Sequence, residues 1–374
     1  MSPSPDVLIL GGGVIGLTAA YFLARDSVKV EVVDRGDFGR EASWAGAGII
    51  PPGNPERVSL PHEQLRARGS AMYPSLSAEL LDATGIDNGY HVCGGVEWLG
   101  EDEIAVVRAW RNEGIRFEAM NPIELVALEP SLAANLGCAY SLPHMAQVRN
   151  PRHLRALLAW CESRVMLRSH CSVHGFFRHG QRILAAESDA GRLSAARFLV
   201  ATGAWTGNLL ASVGCRLNVQ PVRGQIALLN TGDPLLRRIL LQGKRYVVPR
   251  PDGRVLVGST EEDAGFDKRT TAKAIEDLLS FARSMVPRLA VANVERCWAG
   301  LRPGTPDGLP YLGLLPGCDN LYVAAGHFRA GIQLAPITGL VMKELLLGQT
   351  TTMPLEAFRP DRPPASPGQS AFRS

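Results

Sequence analysis

The sequence predicts an α/β protein with two domains, one built on a parallel sheet and the other on an antiparallel sheet. Its 374 residues exceed the roughly 250–300 at which a single hydrophobic core stops growing. The chain opens on a strand, a helix and a second strand, an order that implies parallel pairing. Short runs typical of antiparallel strands follow in its middle third.

Each element is predicted from the pattern of its residues. Val7–Leu10 is a short apolar strand, Val14–Arg25 has helical spacing of apolar residues, and residues 28–33 are rich in β-branched side chains. Further helices are predicted at about 63–84, 151–162 and 332–347, and further strands at 198–201, 225–229, 245–249, 254–259 and 321–325. The sequence RPDG at 250–253 separates two of these strands and is typical of a hairpin turn.

Composition excludes several classes of function. The 39 basic and 36 acidic residues are scattered and leave a formal charge of +3, so the basic patch of a nucleic-acid-binding protein is absent. No run of about 18 apolar residues predicts a transmembrane helix. The histidines lack metal-ligand spacing, which predicts no metal site. The 7 cysteines form no Cys-x-x-Cys pair, and together with the lack of a secretion signal they predict a cytoplasmic protein with reduced thiols.

A glycine motif follows the first strand. The sequence GGGVIG at 11–16 matches G-x-G-x-x-G between a strand and a helix. We expect Gly11 to permit a tight turn, Gly13 to let the backbone approach a pyrophosphate, and Gly16 to allow close helix–strand packing. Asp34 ends the second strand and can accept hydrogen bonds from both ribose hydroxyls, which favours FAD or NAD over NADP.

A segment of small residues, GREASWAGAGII at 39–50, comes next. Its alternating glycines and alanines are unsuited to the interior of a packed helix or strand, so we expect a ligand to approach this backbone closely. A flexible turn is the alternative. The position of the segment after Asp34 suits a flavin, whereas NAD enzymes do not need it.

Several segments occur along the chain in one order. They are GGGVIG at 11–16, SWAGAG at 43–48, ATGAW at 201–205, PVRGQ at 221–225, GLRP at 300–303 and GHFRAG at 326–331. Together they resemble the glycine oxidase branch of the D-amino acid oxidase family, and the resemblance covers about residues 5–347.

The resemblance implies a fold, a cofactor and a division of the chain. The fold is a Rossmann-like FAD-binding domain with a parallel sheet and a substrate domain with an antiparallel sheet, as in D-amino acid oxidase. The FAD-binding domain is assigned to 1–80, 143–215 and 296–360, and the substrate domain to 81–142 and 216–295. Residues 361–374 are rich in Pro and Ser and are predicted to be a disordered tail. FAD is expected to be bound non-covalently, and a homo-oligomer is compatible with the family.

By this likeness FAD contacts fall on two groups of positions. The first group is Val14, Ile15, Asp34, Arg35, Ala42, Ser43, Ala47, Gly48 and Ile49, with Val173 on the adenine side. The second group is His327, Phe328, Arg329, Ala330, Gly331, Ile332 and Gln333, against the pyrimidine end of the flavin. Reduction places negative charge at that end. A helix N-terminus carries roughly half a positive charge, so the start of the last helix would stabilise the reduced flavin.

Three residues are predicted to hold an amino-acid substrate. Arg302 matches the family's arginine for the substrate carboxylate, which a guanidinium binds with two hydrogen bonds. Tyr246 matches the tyrosine whose hydroxyl assists, and the Arg329 side chain could help to fix the substrate. Each position has a structural alternative: a surface salt bridge for Arg302, a core position for Tyr246, and pairing with a carboxylate for Arg329.

The resemblance implies oxidation of glycine or a small D-amino acid. Hydride would pass from Cα to flavin N5, so no strong protein base is required. The products would be an imine or keto acid, ammonia and, with O₂ as acceptor, H₂O₂, and the family's activity can serve synthesis of the thiamine thiazole. The alternatives are an oxidase for sarcosine or D-proline-type secondary amines, a D-amino acid dehydrogenase with another acceptor, and a non-catalytic flavin-binding module.

Overall fold

The structure, a computed structural model, describes residues 4–363. In chain order its strands are β1 (Val7–Leu10), β2 (Val30–Val33), β3 (Ile49–Ile50), β4 (His91–Val92), β5 (Gly95–Trp98), β6 (Glu118–Met120), β7 (Ala139–Leu142), β8 (Ala146–Gln147), β9 (Met166–Arg168), β10 (Val173–His179), β11 (Arg182–Ser188), β12 (Gly191–Leu193), β13 (Arg197–Val200), β14 (Gln220–Asn230), β15 (Ile239–Gln242), β16 (Arg245–Pro249), β17 (Arg254–Gly258), β18 (Asn293–Gly304), β19 (Tyr311–Leu314) and β20 (Leu321–Ala325). Its helices are α1 (Val14–Arg25), α2 (Ala42–Ala45), α3 (Pro61–Thr84), α4 (Glu103–Glu113), α5 (Pro122–Leu128), α6 (Asn150–Glu162), α7 (Thr206–Leu210), α8 (Ala272–Met285) and α9 (Gly331–Leu346).

A mostly parallel sheet has the strand order β19-β20-β13-β1-β2-β9. In its centre β1 pairs in parallel with both β2 and β13, so that Leu10 lies opposite Val33 and Val200. The carboxyl ends of these strands therefore share one edge. The alternation of side chains along β1 explains how both faces are buried: Val7 and Ile9 pack with helices α1, α3, α6 and α9, and the alternate residues pack with the small β10-β11-β12 sheet.

A second sheet of eight strands has the order β18-β14-β17-β16-β15-β5-β7-β6 and is antiparallel except between β15 and β5. Helix α8 covers one face, where Leu278 and Phe281 pack against Val247 and Val257. The hairpin predicted between β16 and β17 is present, with the Arg250 amide donating to the Arg254 carbonyl at 2.7 Å. The predicted α/β fold with one parallel-rich and one antiparallel sheet is confirmed.

The observed bounds of several helices and strands can be compared with the predicted ones. The elements β1, α1, β16 and β20 have the predicted bounds. Strand β2 starts at Val30 rather than at residue 28, because the Val28 amide caps α1 by donating to the Leu23 carbonyl. The segment 39–50, expected to be irregular, contains the short helix α2 and the two-residue strand β3.

The domain boundaries stay a prediction, although β18 bears on one of them. This strand pairs along its length with β14, so it runs across the predicted boundary at residue 296.

The predicted tail began at residue 361, but Arg362 forms a salt bridge with Asp307 at 2.8 Å and has a largely buried side chain. Residues 361–363 are therefore placed by contacts, and the rest of the predicted tail, 364–374, lies outside the described residues. Between residues 4 and 363 no helix combines the length and apolarity that a bilayer crossing requires.

Candidate active site

A cleft of about 430 Å³ opens at the carboxyl edge of the parallel sheet. Leu10, Val33, Ala201 and Ala325, at the ends of β1, β2, β13 and β20, line it. Ligands of open α/β sheets bind at this edge, and the volume lies within the roughly 300–1,000 Å³ typical of ligand sites. The cleft is therefore the candidate site.

The glycine turn at the start of α1 forms one wall of the cleft. Gly11 has φ of +107°, and a Cβ there would lie 2.5 Å from the Ala201 carbonyl oxygen of the neighbouring strand connection. A Cβ at Gly16 would overlap the Gly11 carbonyl oxygen. Both positions therefore require glycine, in agreement with the expected tight turn and close packing. The Val14 amide donates to Ser43 Oγ at 3.0 Å, which ties the following segment to the helix N-terminus.

Asp34 is fixed at the end of β2 by two main-chain hydrogen bonds. The Gly12 amide donates to Oδ2 at 2.7 Å and the Gly36 amide donates to Oδ1 at 2.9 Å. Burial raises the pKa of the Asp34 carboxyl above its ordinary value, and these amides oppose that shift. Each carboxylate oxygen can accept a further hydrogen bond, and Asp34 lines the cleft. The side chain is thus placed to accept two further hydrogen bonds.

Arg35 closes the adjacent end of the cleft through aromatic and ionic contacts. Its guanidinium carbon lies 3.6 Å from the ring centroid of Trp205, and Trp205 stacks on Phe266 with centroids 5.5 Å apart. Arg35 also pairs with Glu41 at 3.0 Å, and Glu41 pairs with Lys268 at 3.0 Å. Phe266 and Lys268 follow β17, so the antiparallel sheet contributes to this end of the cleft.

The predicted cofactor-binding residues form two sets, those that line the cleft and those that do not. Those lining it are Gly11, Gly13, Val14, Ile15, Asp34, Arg35, Ala42, Ser43, Val173, His327, Phe328, Arg329, Gly331 and Ile332. Those that do not line it are Gly16, Ala47, Gly48, Ile49, Ala330 and Gln333. Among the second set, the Gln333 side chain donates to Ser70 Oγ at 2.8 Å and so ties the start of α9 to helix α3.

The start of α9 reaches the cleft through Gly331 and Ile332. The His327 Nε2 atom lies 3.0 Å from Thr338 Oγ1, and burial lowers the pKa of this imidazole to about 3. His327 is therefore neutral near pH 7. The Tyr73 hydroxyl donates to the Ile332 carbonyl at 2.5 Å. These contacts hold the first turn of α9 with its unpaired N–H groups at the cleft.

Arg302 lies on β18, opposite Val222 of β14, and its side chain lines the cleft. Nη1 donates to the Thr260 carbonyl at 3.1 Å and Nη2 donates to Ser259 Oγ at 2.6 Å. Gly224 on β14 leaves room for this group, because a Cβ there would overlap the guanidinium. Burial lowers the pKa of Arg302, but a guanidinium stays charged in proteins. Within residues 4–363 it has no salt bridge, so no carboxylate contacts the guanidinium directly.

Tyr246 lies beside Arg302 but not in the lining of the cleft. It is buried on β16 opposite Gly258, and its hydroxyl is hydrogen-bonded to Ser259. Burial raises the pKa of the Tyr246 phenol, so the hydroxyl is neutral and can donate a hydrogen bond. Ser259 therefore brings Arg302 and Tyr246 together.

The Arg329 side chain is paired. Nη1 donates to Glu261 Oε2 at 3.0 Å, and Nη2 donates to the Lys244 carbonyl at 3.2 Å. This is the structural alternative left open for Arg329 by the sequence. The residue still lines the cleft, so the pairing engages its guanidinium without removing it from the site.

The sequence matches the model of the family described as FAD dependent oxidoreductase over residues 6–345. The chain belongs to this family. A glycine oxidase of Pseudomonas aeruginosa is 40% identical over 92% of this chain and 96% of that protein. A protein of Trichormus variabilis named bifunctional protein ThiO/ThiG is 33% identical over 96% of this chain, which spans 55% of that protein. A crystal structure of glycine oxidase from Geobacillus kaustophilus has a TM-score of 0.91 and 33% identity, and covers 97% of this chain and 100% of its own.

FAD is the cofactor of this FAD dependent oxidoreductase, and the cleft has the groups that such a dinucleotide needs. Gly11 and Gly16 keep the turn before α1 free of side chains, and the amides at the start of α1 suit a pyrophosphate. Asp34 offers two acceptors for ribose hydroxyls. In the part of the chain that the structure describes, no three His, Cys, Asp or Glu side chains could hold a metal ion.

Sequence reasoning missed several residues of the site. Residues 201–205 follow β13 and line the cleft, and the parallel pairing of β13 with β1 was the signal that could have placed them. Ser259 and Thr260 hold Arg302. The sequence indicated these two residues less clearly. The register of the β16–β17 hairpin places the end of β17 beside Tyr246, but Arg302 reaches the end of β17 only through the pairing of β14 with β18.

Proposed function

We propose that this FAD dependent oxidoreductase oxidises the Cα–N bond of glycine or a small D-amino acid. The observation that carries the proposal is the guanidinium of Arg302 in the cofactor cleft, which among the described residues has only neutral hydrogen-bond partners. A buried cation without a counter-ion is costly, and an incoming substrate carboxylate would supply the missing charge through two hydrogen bonds. The glycine oxidases among the relatives support the choice of substrate.

FAD would be held without a covalent bond by both sets of predicted residues, those that line the cleft and those that do not. Gly11 and Gly13 would hold the pyrophosphate, and Asp34 the ribose. The start of α9 would face the pyrimidine end, with Ala47 to Ile49 supporting the flavin. When bound, FAD supplies the two-electron acceptor for the oxidation. The domain division predicted from the sequence is part of the proposal and is supported by the two separate sheets.

Arg302 and Tyr246 would orient the substrate. The guanidinium would bind the carboxylate and the neutral Tyr246 hydroxyl would donate a third hydrogen bond, which fixes Cα at one place in the cleft. The substrate amine must be neutral to release its lone pair, so the rate is expected to rise as the substrate ammonium loses its proton. No protein base is assigned to this step.

The proposal also includes an electron acceptor, a pathway and a cellular location. O₂ would reoxidise the cofactor and leave as H₂O₂. The relative named ThiO/ThiG supports a role in supplying the imine for the thiamine thiazole. The seven free cysteines support a cytoplasmic setting, and the oligomeric state is proposed to be a homo-oligomer.

Anaerobic rapid mixing tests the proposal. The purified FAD-bound protein would be mixed with glycine, sarcosine, D-alanine, D-proline and the L-forms of the chiral pair, and the loss of flavin absorbance followed. We expect glycine or a small D-amino acid to bleach the flavin fastest, and air to restore the colour with formation of H₂O₂. Faster reduction by sarcosine or D-proline would favour the secondary-amine alternative. Faster reduction by L-forms would contradict the substrate assignment, and no reduction by any of them would favour a non-catalytic module.

A further inference from the structure

One three-residue segment, 259–261, contacts both arginines of the cleft. Ser259 and Thr260 accept hydrogen bonds from Arg302, and the next residue, Glu261, pairs with Arg329 at 3.0 Å. The segment follows β17, whereas Arg302 lies on β18 and Arg329 precedes α9. The two arginines therefore share one support. Glu261 forms a direct ion pair with Arg329, whereas its charge acts on Arg302 only from a distance.

Glu261 has a second cation beside it. Lys244 Nζ, in the turn between β15 and β16, lies 3.5 Å from Glu261 Oε1. Arg329 also donates to the Lys244 carbonyl at 3.2 Å, so the three residues form one cluster. The cluster of Lys244, Glu261 and Arg329 holds two positive charges and one negative charge. Its side chains are partly exposed, and Arg329 is the member that lines the cleft.

The two arginines consequently differ in what they can bind. Arg302 has no carboxylate partner and can accept one from a substrate. Arg329 lies on the same cleft, and its positive charge contributes to lowering the Arg302 pKa. The charge of Arg329 is already neutralised by Glu261, so a second substrate carboxylate approaching Arg329 would meet the negative charge of Glu261 and be repelled.

We propose that Glu261 is a specificity-determining residue: by occupying Arg329 it restricts this site to amines that carry one carboxylate and disfavours dicarboxylic amines. This inference rests on the proposed function, because it assumes that Arg302 binds the substrate carboxylate. Removing the charge of Glu261 would release Arg329 and give the cleft a second free guanidinium.

Paired substrates that differ by one carboxylate test the inference. Iminodiacetate and sarcosine are both secondary amines, and D-aspartate and D-alanine are both primary amines of D-configuration. For each pair the ratio of kcat/KM, dicarboxylate over monocarboxylate, would be measured on the FAD-bound protein. We expect E261Q to raise at least one ratio by ~10-fold or more, the change that one added charge-assisted hydrogen bond gives. The double variant E261Q/R329Q should lose this gain.

Glu276→Gln is the matched control. Glu276 forms a comparable ion pair with Arg283 at 2.9 Å, but on the surface helix α8, so both ratios should stay at the wild-type values. Lys244→Gln is the second variant and keeps the test decisive if E261Q does not retain FAD. It removes a positive charge from the cluster while Glu261 remains, so it should lower the ratios.

Several results would overturn the inference. One is a pair of ratios unchanged in E261Q, and another is a gain that persists in E261Q/R329Q. With E261Q lost to misfolding, unchanged or raised ratios in K244Q would have the same meaning. Failure of the proposed function looks different, because then no amino acid would reduce the flavin of the wild-type protein at all.

Discussion

Replacing Arg302 by Ala removes the only cation of the cleft that, among the described residues, lacks a carboxylate partner. Two guanidinium donors are already used by Thr260 and Ser259, which leaves further N–H groups for a substrate carboxylate. A hydrogen bond to a charged group contributes about 1.5–3 kcal/mol, so the loss of two should cost ~3 kcal/mol or more. We therefore expect kcat/KM for glycine to fall at least ~10²-fold, equivalent to ~2.7 kcal/mol.

The assay is steady-state and single-turnover oxidation of glycine, with the flavin spectrum recorded for each variant. Arg302→Lys keeps a charge but loses the two-pronged geometry, so it should also be impaired. Tyr246→Phe should cost less, ~1 kcal/mol, because it removes one neutral hydrogen bond. Arg283→Ala serves as the control, since Arg283 lies on the surface helix α8 and pairs with Glu276.

A primary amine without a carboxylate decides what Arg302 does. Such an amine should be a poor substrate of the wild-type protein and should lose little more in Arg302→Ala. If glycine and this amine lost the same proportion of kcat/KM, Arg302 would be supporting the flavin or the structure rather than the substrate carboxylate.

Two further predictions follow from buried charges. Asp34→Ala should weaken FAD binding by ~1–3 kcal/mol through loss of ribose hydrogen bonds, and wild-type FAD content of the purified variant would disprove the ribose assignment. Arg250 is 5% exposed and donates to the Ala47 carbonyl at 2.7 Å and the Val148 carbonyl at 3.2 Å. Arg250→Met should therefore lower the free energy of unfolding in urea by at least ~2 kcal/mol by leaving buried acceptors unpaired. The control Arg254→Met, at a partly exposed position, should change it by under ~1 kcal/mol.

Local features of the sequence predicted the cofactor half of the site. The glycine spacing at 11–16, the acid at the end of β2 and the strand–helix–strand pattern depend on residues close in the chain. The turn requires a positive φ at Gly11, and the close packing excludes a Cβ at Gly16. Both positions therefore need glycine, and this need is visible in the sequence. The family resemblance then assigned Arg302 and Tyr246 to the substrate carboxylate, and in the structure the two side chains lie close to each other.

The helix α8 and most elements between residues 85 and 142 were not predicted, because short or polar segments have weak periodicity. Helix α8 owes its place to one apolar face that packs on the antiparallel sheet.

Taken by itself, the sequence determined the α/β fold class, the glycine turn, the position of Asp34 and the residue types available to bind FAD and a carboxylate. Only the tertiary structure decided which of the two arginines is free to bind. Arg329 is neutralised by Glu261, 68 residues away in the chain. Arg302 is held by Ser259, 43 residues away, and among the described residues it has no direct ion pair. The physical reason is that the electrostatic state of a side chain depends on the charges that surround it in space, and sheet pairing brings those charges together from distant parts of the chain.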